Sequence, residues 1–160
     1  MPLKIITIII LFFSLTSYSY SAATPDGSKT SNYDKAVQLI KSAKKYEAKG
    51  KEKKSKKRYE RALKLLIKAN KDKPNQADTL NYLGFATRKL GDFEKGEKYY
   101  LLGLQIDPKH IGINEYLGEL YVATNRIDLA NKRLEVLKNC NCEEYEELKQ
   151  IIKGTKKSKY

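Results

Sequence analysis

The stretch NYLGFATRKLGDFEKGEKYY, Asn81 to Tyr100, decides the reading of the chain, because its Tyr82-Leu83-Gly84 returns 34 residues later as Tyr116-Leu117-Gly118. The same step relates Pro74 to Pro108. It also generates three series: Tyr59, Phe93 and Ile127; Ala62, Gly96 and Ala130; Leu66, Tyr100 and Leu134. Small residues recur where two helices must approach closely, and bulky ones where the gap between helices must be filled. Proline recurs where a helix has to stop, because it lacks an N–H and clashes with the preceding turn. A fixed period of this length marks a repeat array, in which each unit buries its apolar face only against its neighbours. Gly84 and Gly118 are therefore expected to be contact points between paired helices.

From Tyr33 onward the apolar residues fall at spacings of three and four, and no stretch alternates with period two, so the chain is expected to be all-helical. A length of 160 residues with 41% hydrophobic and 32% charged content fits one modest domain. The formal charge of +13 points to an anionic partner. That charge is unevenly placed: Tyr33 to Pro74 carries 16 basic and 5 acidic residues, whereas Asn75 to Cys142 carries 9 of each. Lysine outnumbers arginine 27 to 5, as AT-rich codon usage would produce, yet codon usage does not concentrate charge in one segment.

Residues 1–23 read as a signal peptide. Lys4 begins it, Ile5 to Leu15 form an apolar run, and Ser21-Ala22-Ala23 supplies small residues for cleavage after Ala23. The run is shorter than the roughly 20 apolar residues a membrane-spanning helix needs. The mature chain is then expected to be exported, periplasmic or secreted, starting near Thr24 with a disordered polar leader over residues 24–32.

The repeated residues resemble the tetratricopeptide repeat (TPR) family position by position. In the unit that starts at Ala77, the family's bulky residue is Leu80, its Leu-Gly is Leu83-Gly84, and its turn is Gly91-Asp92-Phe93. Gly96, Tyr100, Gly103 and Pro108 take the following small, aromatic, small and proline places. The next unit starts at Ile111 and keeps Leu117-Gly118, Tyr121 and Ala130. It departs at Leu137 and at Cys142, which stands where proline would be. The resemblance implies an all-α, short TPR-type helical-hairpin solenoid of about three hairpins plus a C-terminal capping helix. Its units are 33–74, 75–108 and 109–142, with the cap at 143–153 and a disordered tail at 154–160.

The first unit is irregular. Counted back from Pro74, Tyr59, Ala62, Leu66 and Ala69 fit the second helix. Leu39, Ala43, Tyr46 and Gly50 fit the first only if the seven residues Lys51 to Lys57 are set aside. Seven residues are about two helical turns, which leaves the apolar face in register. The expectation is that the second helix starts early and projects a basic prong beyond the solenoid body; a longer flexible loop is the alternative. In the cap, Tyr145, Leu148, Ile151 and Ile152 share one helical face and would cover the open end of the array.

No catalytic constellation is present: there is no nucleophile with an evident base, no phosphate-binding loop and no dinucleotide fingerprint. The single histidine, His110, is expected to be exposed in the turn after Pro108 and has no partners at metal-ligand spacing. No enzyme activity, cofactor or metal is expected. Cys140 and Cys142 admit three readings: a structural staple between the last hairpin and the cap, two free or partner-paired thiols, or a redox or copper role. The resemblance implies a concave groove lined by first helices that binds a protein or peptide segment. Its positions here are Asn81, Phe85, Arg88, Lys89, Glu115, Glu119 and Val122. Phe85 is the expected exposed hot spot, unless it packs on the neighbouring hairpin. Asn81 and Phe85 occupy two places of the family's carboxylate clamp, a departure from that specialised use. The rival surface is the basic patch Lys51, Lys53, Lys54, Lys56, Lys57 and Arg58, suited to lipid headgroups, cell-wall polymers or acidic proteins. Nucleic acid is not expected.

Overall fold

The computed structural model describes residues 30–158. The signal-peptide reading of residues 1–23 and most of the leader lie outside them. Seven helices follow one another in the described chain: α1 (Asn32–Glu47), α2 (Glu52–Asp72), α3 (Ala77–Lys89), α4 (Phe93–Ile106), α5 (Ile111–Ala123), α6 (Ile127–Leu137) and α7 (Glu143–Ile152). They pair as the hairpins α1–α2, α3–α4 and α5–α6, with α7 packed on both α5 and α6. No described helix is long and apolar enough to cross a membrane.

The helix ends follow from local chemistry. Each hairpin turns at a residue in the left-handed region: Gly50 (φ 65°), Gly91 (φ 96°) and Asn125 (φ 58°). Glycine adopts that conformation because it lacks a Cβ, and asparagine tolerates it because its short polar side chain can hydrogen-bond locally. Asp92 Oδ1 then accepts from Lys95 N–H at 3.0 Å and caps α4. The helices α2 and α4 each end two residues before a proline, Pro74 and Pro108. Ser31 caps α1 by accepting from Asp34 N–H at 3.0 Å, so the polar leader gives way to helix at Asn32.

Two expectations, about the turn before α5 and about the tail, change here. His110 is not a free turn residue: its side chain is 15% exposed. Its Nδ1 accepts from Ile113 N–H at 3.2 Å, capping α5, while Nε2 lies 3.1 Å from Asp78 Oδ1 on α3. The start of the tail is also ordered. Residues 154–158 turn back on α7, with Thr155 Oγ1 donating to the Gln150 carbonyl and Lys156 Nζ donating to Glu147 at 2.8 Å.

The surplus of the first hairpin is helical, and its place in the hairpin differs from the expected one. α2 has 21 residues against 14 in α4, a difference of seven. Counted from the turns at Gly50 and Gly91, Ser55, Tyr59 and Ala62 stand where Gly96, Tyr100 and Gly103 stand. Their burial agrees: Ser55 is 3% exposed, and Tyr59 and Ala62 are sealed. The turn is held level with the next one, since Glu47 pairs with Lys89 and accepts from Tyr59 Oη at 3.0 Å. The basic segment therefore does not project as a prong. The two added turns lie at the far end, where Ala36 and Leu66 extend the core and Asn32 Nδ2 donates to Asp72 Oδ2 at 3.3 Å. Two helical turns restore the same face wherever they are inserted, so sequence periodicity does not distinguish the two ends.

Two cores result. One joins Ile40, Ala43, Tyr59, Leu66, Leu83 and Phe85 between the first two hairpins. The other joins Tyr100, Ile113, Leu117, Leu120 and Ala130 further along. The cap adds Leu148 and Ile151, both buried.

Candidate functional site

The residues expected to line an open groove come together, but as a packed polar seam between α1, α3 and α5. Phe85 is 1% exposed, which corrects its reading as an exposed hot spot. Its ring meets Tyr59 edge-on at 5.9 Å and Tyr116 at 4.9 Å. From α1, Lys44 Nζ lies 4.5 Å from the Phe85 centroid and donates to Tyr116 Oη at 3.1 Å. The Arg88 guanidinium stands 5.1 Å from the rings of both Phe85 and Tyr116. A cation desolvated over an aromatic face is attracted by the ring quadrupole. Two rings and two cations thus replace the expected void with a filled seam.

Arg88 is buried, which requires that its charge be met. It donates to the Tyr116 carbonyl at 3.1 Å and pairs with Glu119 Oε2 at 3.1 Å, with neither side chain reaching solvent. Lys89 bridges to Glu47 at 2.5 Å. Asn81 is buried against the start of α5, where a Cβ at Gly112 would fall 2.8 Å from its Nδ2. Glu115 is buried, and Val122 is half-buried against the second core. Five of the groove candidates, Asn81, Phe85, Arg88, Glu115 and Glu119, are thus interior groups, whereas Lys89 and Val122 are half-buried.

The tyrosines record the same dryness. Burial pushes the Tyr59 phenol up, with Glu47 adding to it. Burial likewise raises Tyr100 and Tyr116, in both cases opposed by Arg88.

An accessible concavity lies at the turn end of the seam. A cleft of about 1000 Å³ opens between the turns at Gly50 and Gly91. Ala48 and Leu90 contribute its accessible apolar surface over the sealed rings of Tyr59 and Phe85, and four lysines (Lys44, Lys53, Lys56 and Lys89) line it with two glutamates, Glu47 and Glu52. Of the expected basic patch, Lys51, Lys53, Lys54, Lys56 and Lys57 are exposed and Arg58 is half-buried. Lys54 and Arg58 turn toward Tyr46 on α1, at 5.8 and 5.7 Å from its ring. Lys53 and Lys56 face the cleft. The sequence reading treated groove and patch as rivals, whereas α2 places part of the patch on the rim of the concavity. Cys140 and Cys142 are joined in a disulfide immediately before α7.

This arrangement defines a helical-hairpin repeat solenoid closed by a C-terminal helix. The chain has the tetratricopeptide-repeat fold. It is similar to the first TPR of Spaghetti (RPAP3), solved bound to the HSP90 peptide SRMEEVD, at 22% identity and a TM-score of 0.54, over 79% of this chain and 97% of that one. The first TPR domain of human RPAP3 is similar at 20% identity and TM-score 0.53, over 79% and 98%. The Sgt2 TPR domain from Aspergillus fumigatus is similar at 18% and 0.56, over 79% and 82%. No protein-family model and no curated protein matches the chain.

Proposed function

We propose that this chain is a non-catalytic interaction adaptor that binds an acidic peptide or protein segment in the cleft between the first two turns. The observation that carries the reading is the cleft itself: apolar surface at Ala48 and Leu90, floored by the sealed rings of Tyr59 and Phe85, beneath a rim that carries the exposed Lys53 and Lys56. Apolar surface holds extended side chains, and the lysines select carboxylates and speed encounter. The bound peptide of the Spaghetti domain lends support, since it shows a like fold engaging a short acidic segment. The signal-peptide reading of residues 1–23 would place the adaptor outside the cytoplasm, in the periplasm or secreted.

A second reading has its own observation. Lys51, just before α2, and Lys54 and Lys57 on it are exposed and do not line the cleft, a surface suited to anionic lipid or polymer. Charge reversal separates the two. Labelled acidic peptides are titrated into the chain with Lys53→Glu and Lys56→Glu, and with Lys54→Glu and Lys57→Glu. The adaptor reading expects the first pair to abolish binding and the second to leave it near wild type. Loss through the second pair, together with binding to anionic vesicles that vanishes at high salt, would establish the surface reading instead.

A further inference from the structure

Both cysteines lie in one connector. Cys140 stands between the end of α6 at Leu137 and the start of α7 at Glu143, and Cys142 is the residue that precedes α7. Their disulfide spans a sequence separation of 2, with Asn141 alone between them. The bond therefore ties the connector to itself and joins no helix to another hairpin. What holds the cap is packing: Leu137, Leu148 and Ile151 are buried, and α7 contacts both α5 and α6. Closing a loop this short also removes only about half the unfolded-chain freedom that a loop of roughly fifteen residues removes. As a staple, the bond has little to fasten.

Three features suit it to exchange instead. The ring is very small, and a disulfide constrained in this way is more readily reduced than an ordinary bridge. Asn141 closes that ring at φ 49°, in the left-handed region that is costly for an L-residue. Access is the third. Both cysteines are only half-buried, and Cys142 lines a cleft of about 600 Å³ between the connector, α7 and Lys156 of the tail. An incoming thiolate must reach a disulfide sulfur to attack it, and this cleft supplies the approach.

We propose that Cys140–Cys142 is a thiol–disulfide exchange site that accepts two electrons from the dithiol of a partner protein. One thiolate of the dithiol attacks Cys142 Sγ through the cleft. The bond between the two sulfurs of this chain breaks, and its electron pair leaves on Cys140 Sγ, which takes a proton. The second thiolate then attacks the partner's own sulfur in the mixed disulfide. The partner closes to a disulfide, and Cys142 leaves as a thiolate and takes the second proton. One disulfide is reduced and one is formed, with two electrons and two protons passing to this chain. The exchange is stoichiometric. No residue lines both this cleft and the peptide cleft, so the inference does not rest on the adaptor reading.

The test equilibrates the oxidised full-length chain with millimolar reduced glutathione in roughly tenfold excess over its disulfide, a poise that leaves ordinary structural bridges closed. Acid quenching, alkylation and mass spectrometry then count the open pairs. Most should be open, with helical circular dichroism and the thermal midpoint unchanged. The trapped glutathione adduct should sit on Cys142. Under nitrogen, the oxidised chain should convert one equivalent of a reduced two-cysteine peptide to its disulfide. The double variant Cys140→Ser with Cys142→Ser should convert none and keep the wild-type midpoint. Three results would overturn the proposal: a pair that stays closed in the glutathione buffer, adducts confined to Cys140, or loss of helix on reduction or in the double variant. The last would make the bond a structural staple.

Discussion

A Cβ at Gly118 would lie 2.5 Å from Leu148 Cδ2, whereas at the equivalent Gly84 it would lie 2.5 Å from Tyr100 Cε1. The same repeat position thus receives the second helix of its own hairpin in one unit and the capping helix in the next. The cap fills a socket that the repeat pattern already contains. Gly118→Ala should destabilise the chain by about 1–3 kcal/mol through overpacking, and Leu148→Ala by about 2–5 kcal/mol through a cavity. The double variant should cost clearly less than the two together, because shortening Leu148 makes room for the new methyl. Urea unfolding of the four proteins measures this, and strict additivity would mean that the two residues do not oppose each other.

The hairpins and the cap were legible in the sequence because small and bulky residues recur with the helical period on fixed faces. The end of the first hairpin that carries the extra turns was not. Ser55-Tyr59-Ala62 and Ala62-Leu66-Ala69 are both acceptable small-bulky-small runs, and only Glu47 bridging Tyr59 and Lys89 selects the former. The groove candidates come together in space, but most are buried in a seam that their own side chains fill. Lys44, Arg88 and Glu119 look like surface charges, and nothing local shows that Arg88 meets Glu119 across 31 residues or that Lys44 meets Tyr116 across 72.

Phe85→Ala should behave as a core substitution. With the ring sealed between Tyr59, Tyr116, Lys44 and Arg88, its removal leaves a cavity under two charges. A loss of about 3–5 kcal/mol is expected, read from the shift in denaturant midpoint. A variant of wild-type stability that had lost only peptide binding would show that the seam opens in solution.

Arg126 fastens the turn between α5 and α6 to α4. Its Nη1 and Nη2 donate to Glu97 Oε1 and Oε2 at 2.9 and 2.7 Å, and Nε donates to Thr124 Oγ1 at 2.9 Å. Lysine keeps the charge but not the planar fork. Arg126→Lys should therefore cost about 0.5–1 kcal/mol, modest because the pair is partly solvated. A double-mutant cycle with Glu97→Gln should recover most of that as coupling. Equal stability of the arginine and lysine forms would leave charge alone as the contribution.

Alkaline pH should unfold the chain through its tyrosines. Burial, helped by Asp78, Tyr82 and Asp34, holds the Tyr33 phenol up at about 12, against an ordinary value of 10.0. Burial raises Tyr59, Tyr100 and Tyr116 still further. Each raised group keeps its proton in the folded chain at a pH where the unfolded chain has lost it. Their contribution is therefore complete below pH 10 and drains away as pH climbs through 12, because the unfolded state binds fewer protons there. Phenolate absorbance and helical circular dichroism, followed together, should show some of the 12 tyrosines ionising early and the rest only as the helices melt. Complete ionisation near pH 10 with the helices intact would mean that the seam between α1, α3 and α5 admits water.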